Sequence, residues 1–230
     1  MQRYTVSELS QRLVTYGRTF RDPQQDVLYF NWSCSTVEFI FSGTHLAISF
    51  QADCGYEFEG LPSDPNCPKR ATWPWVAVFL DDMAMPIRKF EVASPRETWL
   101  VYHSAQPETH RIRLTKLTEN SKSFLGISAF LAEGEFLPLS KKPAKRMEIV
   151  GDSITCGYGN LVKDPARHFF SADEDAWQAY GPLAARKLGL EWSCVSISGI
   201  TAVRHPGWMS EYAMCELYEY TDRVYQTRLG

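Results

Sequence analysis

Met147-Glu148-Ile149-Val150-Gly151-Asp152-Ser153-Ile154-Thr155-Cys156-Gly157 is the stretch on which the reading of this chain turns. An apolar run of the kind found in a buried strand ends abruptly in Gly-Asp-Ser. Gly151 allows a tight turn with an unusual backbone angle. Ser153 then falls just past the carboxyl end of a strand, where open α/β sheets hold their ligands. A helix starting there sets free N–H groups and the positive end of its dipole beside the hydroxyl, an arrangement suited to an oxyanion. The structural alternative is a turn or N-cap serine. Asp152 is read as shaping the turn through bonds to nearby amides rather than as an acid, and Cys156 as a small buried side chain. The segment is not the G-x-S-x-G elbow, because Thr155 stands where the last glycine would be.

On the C-terminal side, Ser171-Ala172-Asp173-Glu174 has the form of a capping box. Ala176, Ala179, Tyr180, Leu183 and Leu188 follow on one helical face, with Gly189 as a stop. Pro182 predicts a kink or two short helices, since an interior proline costs about 3 kcal/mol. Trp192–Ile197 reads as the next strand, so strand, helix and strand open a doubly wound parallel sheet. Met209–Tyr225 predicts a further helix through Met214, Leu217 and Tyr218. On the N-terminal side the periodicity is two. Val37, Phe39 and Phe41 alternate, Ser42-Gly43-Thr44 predicts a turn, and Leu46, Ile48 and Phe50 continue. Trp75–Leu80, Arg111–Leu117 and Phe124–Leu131 repeat the pattern, and Gly55 to Arg70 reads as a loop. Short strands without a helical stripe predict an antiparallel β-sandwich over residues 1–140. Pro138-Leu139-Ser140-Lys141-Lys142-Pro143-Ala144-Lys145-Arg146, basic and bracketed by prolines, reads as a linker to a second domain over residues 147–230.

The segment Ile149 to Gly159 resembles the first block of the SGNH (GDSL) hydrolases, and most closely the branch of the family 2 carbohydrate esterases, the acetylxylan esterases. A second match, Ala179-Tyr180-Gly181-Pro182-Leu183-Ala184-Ala185-Arg186 followed by Val195-Ser196-Ile197-Ser198-Gly199, is similar to the helix and strand leading to that family's second block. The resemblance implies a jelly-roll-like N-terminal sandwich followed by an SGNH-type parallel α/β domain of flavodoxin-like form. It implies Ser153 as nucleophile, with its own amide and that of Gly199 as oxyanion donors, no metal and no organic cofactor. The implied partner is an acetylated oligo- or polysaccharide. The third block, Gly-x-Asn-Asp, and the last, Asp-x-x-His, do not occur in these 230 residues. The expectation is therefore an incomplete SGNH domain that by itself lacks the catalytic histidine and is inactive. Two rival functions remain open: a non-catalytic carbohydrate-binding or scaffold protein, and an SGNH lipase or thioesterase on non-sugar esters.

A serine hydroxyl needs an adjacent base and donors for the oxyanion, and histidines are few. His45, His103 and His110 fall in the sandwich, and His168 and His205 in the second domain. Arg204, His205 and Trp208 follow Gly199 closely enough to be candidates for lining the same crevice and contacting a sugar. Trp32, Trp73, Trp75 and Trp99 are read as core or edge residues. A net charge of −3 with dispersed signs gives no footprint for nucleic acid or an anionic membrane. No apolar run is long enough to span a bilayer, and no signal peptide is visible at the N-terminus. Six cysteines without paired spacing read as free thiols in a reducing compartment, so the expected location is cytoplasmic. Oligomeric state is left open.

Overall fold

The structure is a computed structural model describing residues 1–60, 64, 66–139, 145–164, 166–206, 212–222 and 227–228. It is mostly antiparallel β-sheet, consistent with the expected sandwich. Three long strands carry it. Thr36–Phe58 lies between Ser123–Leu137 and Arg96–Lys116, and Trp75–Leu80 and then Arg88–Glu91 extend the sheet beyond Arg96–Lys116. Inside, Phe39 meets Phe130 with ring centroids 5.5 Å apart, and Phe136 packs on both Phe39 and Phe41. Burying side chains of this size contributes about 1.5–3 kcal/mol each.

The turn expected at Ser42-Gly43-Thr44 does not form, because the strand runs on through it. Val37, Phe39 and Phe41 sit at odd positions and Leu46, Ile48 and Phe50 at even ones, yet all six are buried. A strand keeps one face only at period two, so one extra residue must intervene. Thr44 is that residue: Gly43 pairs with Gly134 and His45 with Glu133, leaving Thr44 without a partner. This β-bulge preserves the apolar face. Gly43 is there for closeness, since a Cβ would overlap Glu133 O and come within 2.6 Å of the Phe41 ring. The loop expected from Gly55 is likewise shorter, as Thr36–Phe58 continues and pairs with Lys69–Thr72. A helical turn that the period-two reading missed, Val6–Leu9, has Thr5 and Glu8 in a reciprocal capping box.

The strand Ser123–Leu137 ends one residue before Pro138, and Arg146, read as linker, already belongs to the strand Arg146–Gly151. Residues 140–144 of the expected linker lie outside the described residues. Arg146–Gly151 pairs in parallel with Glu191–Ser196, and the connection includes the helical turn Ser153–Cys156, the 3₁₀ turns Ser171–Asp173 and Ala176–Gln178, and the helix Tyr180–Lys187. Pro182 occupies the first turn of that helix, where no intrahelical N–H bond is lost. The long helix expected over Met209–Tyr225 is a correction. Among the described residues of that stretch only the turn Met214–Leu217 is helical, and Tyr220–Asp222 pairs with Thr227–Arg228 as strands. Residues 207–211 and 223–226 lie outside the described residues.

The antiparallel sheet and the C-terminal elements share apolar cores. Tyr16, Phe79 and Leu117 pack with Ile149, Trp177 and Trp192, and Trp32 packs with Val195, Ile197, Met214 and Leu217. Trp192 Nε1 donates to Cys34 O at 3.0 Å, and Trp32 Nε1 to Thr221 O at 2.8 Å. Trp73 and Trp99 lie partly buried against the sandwich core, as Trp75 does against the shared one.

Candidate active site

Gly151 and Ser196 are register partners at the carboxyl ends of the two parallel strands, and Ile197 N–H returns to Gly151 O at 3.3 Å. Ser153 and Gly199 each follow one of these strand ends within three residues, so both belong to the same edge of the parallel pair. Ser153 is the first residue of the helical turn Ser153–Cys156, and the N-cap is Asp152, whose Oδ1 accepts the Ile154 N–H at 3.1 Å. Such a cap satisfies one of the orphan donors at a helix start. Cys156 N–H bonds Asp152 O at 3.0 Å, and Gly157 closes the turn in the left-handed region at φ 79°.

Gly151 plays a different part from the one its sequence suggested. Its φ is not in the left-handed region. A Cβ there would instead overlap Thr155 Oγ1 and stand 2.9 Å from Thr155 Cβ, so the glycine makes room for the turn to fold back on the strand. Thr155 is buried and its hydroxyl bonds Tyr180 OH at 3.0 Å. Gly199 does lie in the left-handed region, at φ 75°, and its missing Cβ faces open space.

Ser153 is half-buried, and among the described residues no histidine is hydrogen-bonded to it. His168 Nε2 faces Phe58 O at 3.0 Å, His45 and His103 pair across strands with rings 4.3 Å apart, and His110 sits between Asp81 and Glu108. His205 is exposed. Arg204 is exposed and ion-paired with Glu216 at 2.6 Å, while Trp208 lies outside the described residues.

Behind the Ser153 turn lies a buried polar layer that the sequence reading did not single out. At its exposed margin Asn160 bonds the Asp175 backbone twice: its Nδ2 donates to Asp175 O at 2.9 Å, and its Oδ1 accepts the Asp175 N–H at 3.0 Å. The Asp175 carboxylate meets the Lys89 ammonium from the antiparallel sheet and Gln178 Nε2 at 2.9 Å. Ser171 was expected to cap a helix; its N–H and hydroxyl both donate to Glu57 Oε2 at 2.9 Å instead. Glu174, the other half of that expected box, is buried. A carboxyl oxygen of Glu174, one of Glu119 and the Cys156 sulfur lie within 4.8 Å of one another. Burial first, and Glu119 next, push the Glu174 carboxyl and the Cys156 thiol well above their ordinary pKa values. The signal that these charged residues sit in the interior was slight: Lys116 ends a strand of mixed polarity, Glu119 follows it, and Glu174-Asp175 precede a buried tryptophan.

A profile of the carbohydrate esterase 2 N-terminal family matches residues 15–139, more than half of the chain. The chain belongs to this family. It is 26% identical over 193 residues to a cellulase/esterase, CelE, of Acetivibrio thermocellus, covering 83% of this chain and 21% of that protein. It is 32% identical over 137 residues to an acetylxylan esterase / glucomannan deacetylase of Cellvibrio japonicus, covering 54% of this chain and 37% of the relative. The chain thus spans well under half the length of these curated relatives. Among solved structures, a family two carbohydrate esterase from Clostridium thermocellum in complex with cellohexaose superposes with a TM-score of 0.79 at 24% identity, over 94% of this chain and 60% of that one. The family two esterase from Cellvibrio japonicus gives 0.80 at 19% identity, over 100% and 63%. At these identities the likeness is one of fold.

Proposed function

We propose that the chain is part of a serine O-deacetylase for acetylated carbohydrate, an acetylxylan esterase-like hydrolase. In this reading residues 1–140 form its jelly-roll-like sandwich and residues 147–230 the first part of an SGNH-type, flavodoxin-like α/β domain. The observation that carries the reading is Ser153 at the start of a capped helical turn, beyond one parallel strand end, with the Gly199 turn beyond the next. Ser153 Oγ attacks the acetyl carbonyl carbon, and the N–H groups of Ser153 and Gly199 receive the oxyanion. A base takes the serine proton and returns it to the departing sugar oxygen, and water then releases acetate from the acyl-serine. The base in this account is a histidine carried by sequence following Gly230, in keeping with the greater length of the relatives. Arg204, His205 and Trp208 are proposed contacts for the sugar. The six free cysteines support the proposal of a reducing, cytoplasmic location.

A non-catalytic carbohydrate-binding role is the second reading, favoured by the lack of a histidine on Ser153 among the described residues. Turnover of p-nitrophenyl acetate separates the two. Loss of the histidine in a serine triad costs about a million-fold in kcat, so the 230-residue chain should show next to no activity. The same chain extended through its downstream sequence should be active, and Ser153→Ala should remove the gain. An extended chain that binds carbohydrate without turnover points to the binding role. Ordinary rates from the 230 residues alone would show that a base is already present, with His205 the first residue to mutate.

A further inference from the structure

The buried ground between the antiparallel sheet and the parallel pair contains a direct link to the Gly199 turn. Glu119 follows the strand Arg96–Lys116 and is fully buried. Its Oε2 accepts the Ser198 N–H at 2.7 Å and the Ser121 hydroxyl at 2.5 Å. Ser198 is the residue immediately before Gly199. The backbone carrying Glu119 is itself tied down, because the buried Lys116 ammonium donates to Thr118 O at 2.7 Å and Glu119 O at 3.0 Å. We propose that Glu119 is a positioning residue: from the sandwich side it fixes the Ser198 peptide and thereby sets the direction in which the Gly199 N–H is presented.

The inference rests on the reading of Gly199 as an oxyanion donor. Gly199 lies in the left-handed region, at φ 75°, and a Cβ on it would meet nothing within 4 Å. Across the same turn, Ile200 N–H reaches Ile197 O at a long 3.3 Å. A preorganised donor must be held without reorganisation during the reaction. An acceptor in a dry setting does this well, since losing it leaves a buried polar group unmatched. Glu174, Cys156 and Tyr158 face the Glu119 carboxylate, the Lys116 ammonium bonds its backbone oxygen, and Lys116 and Lys122 also face Glu174. Glu119 Oε1 and both Glu174 oxygens find no hydrogen-bond partner among the described atoms, so Oε2 is the working oxygen. On this account the sandwich builds part of the catalytic edge.

The test uses the full-length polypeptide, with Glu119→Ala, Glu119→Gln, Ser153→Ala and Glu57→Gln compared with the parent. Glu57 makes a similar tie between the two halves through Ser171 but does not touch the Gly199 turn. A misplacement of about 1 Å at a catalytic group costs about 100-fold. Glu119→Ala should therefore lower kcat by about ten- to a hundredfold with KM unchanged, and Glu119→Gln, which keeps one acceptor oxygen, should lie between it and the parent. Glu57→Gln should lower the melting temperature without this loss in kcat. Amide hydrogen exchange provides a readout independent of activity: Glu119→Ala should speed exchange at Ser198 while leaving Ile149 and Val195 protected. An unchanged kcat in a folded Glu119→Ala protein, or unaltered exchange at Ser198, overturns the inference. Turnover surviving in Ser153→Ala brings down the nucleophile assignment instead, and Glu119's hold on the turn is then decided by the exchange data.

Discussion

Replacing Gly151 by alanine tests the local account of the site at its narrowest point. The new Cβ would overlap Thr155 Oγ1 and lie 2.9 Å from Thr155 Cβ. Threonine cannot swing away cheaply: a β-branched side chain in a helix is stiff about χ1, and this hydroxyl is bonded to Tyr180 OH at 3.0 Å. Overpacking of this kind costs about 1–3 kcal/mol. Thr155→Ala alone loses that hydrogen bond, worth about 1 kcal/mol net, together with a buried methyl worth about 0.8 kcal/mol. In the double variant the tighter overlap with Oγ1 is gone, and the alanine Cβ at position 151 has only the Cβ at 155, 2.9 Å away, to displace. The double variant should then be less destabilised than the sum of the singles, by about 1 kcal/mol or more. Urea denaturation of the four proteins reads this directly from the midpoints, provided the slope stays constant. Additivity within about 0.5 kcal/mol, the behaviour of independent sites, would refute the claim that Gly151 exists to admit Thr155.

Other parts of the structure give independent expectations. Native thiol labelling should modify exposed Cys215 first and Cys54 and Cys67 more slowly, while buried Cys34, Cys156 and Cys194 react only after denaturation; three disulfides on non-reducing titration would contradict this. Trp192→Ala, which removes a ring stacked on Tyr16 at 5.0 Å, should cost about 3–5 kcal/mol. Unfolding should remain a single transition, and two separated transitions would show that the halves do not share a core. His110 has its pKa raised chiefly by its bond to Asp81, against partial burial and with help from Glu108. A raised folded-state value means the contribution is fully present below the unfolded pKa of about 6.5 and is lost as pH rises through the folded value. The stability difference between the parent and His110→Gln should therefore shrink from about pH 6 to about pH 8, and a difference that grows would be contrary.

Periodicity and turn chemistry made much of this fold readable. The odd-numbered run Val37, Phe39, Phe41 and the even-numbered run Leu46, Ile48, Phe50 announced strand. They did not announce that one residue between them was a bulge, because a bulge and a turn both present a glycine among small polar residues. Only the partner strand distinguishes them, through the register of Gly134 and Glu133. The parallel pair and the two short helical pieces around Pro182 followed from a local apolar run and from proline chemistry. Ser171 and Glu174 had the spacing of a capping box, but Glu57 and a buried carboxyl layer claimed them, and such tertiary demands leave no local signature. The same is true of Glu119. Its neighbours in sequence are ordinary, and its meaning comes from Ser198, 79 residues away. The expected C-terminal helix failed for a related reason: Met214 and Leu217 are apolar because they cover Trp32, and one helical turn suffices for that.

The central claim is that Ser153 is the acyl-accepting nucleophile. The most direct measurement treats the active, full-length polypeptide with a fluorophosphonate until acetate release from acetylated polysaccharide stops, then maps the labelled peptides. The account predicts a single phosphonyl group on Ser153, appearing in step with the loss of activity and absent from Ser153→Ala. Activity lost with Ser153 unmodified, or Ser153 fully modified with acetate release intact, would contradict it.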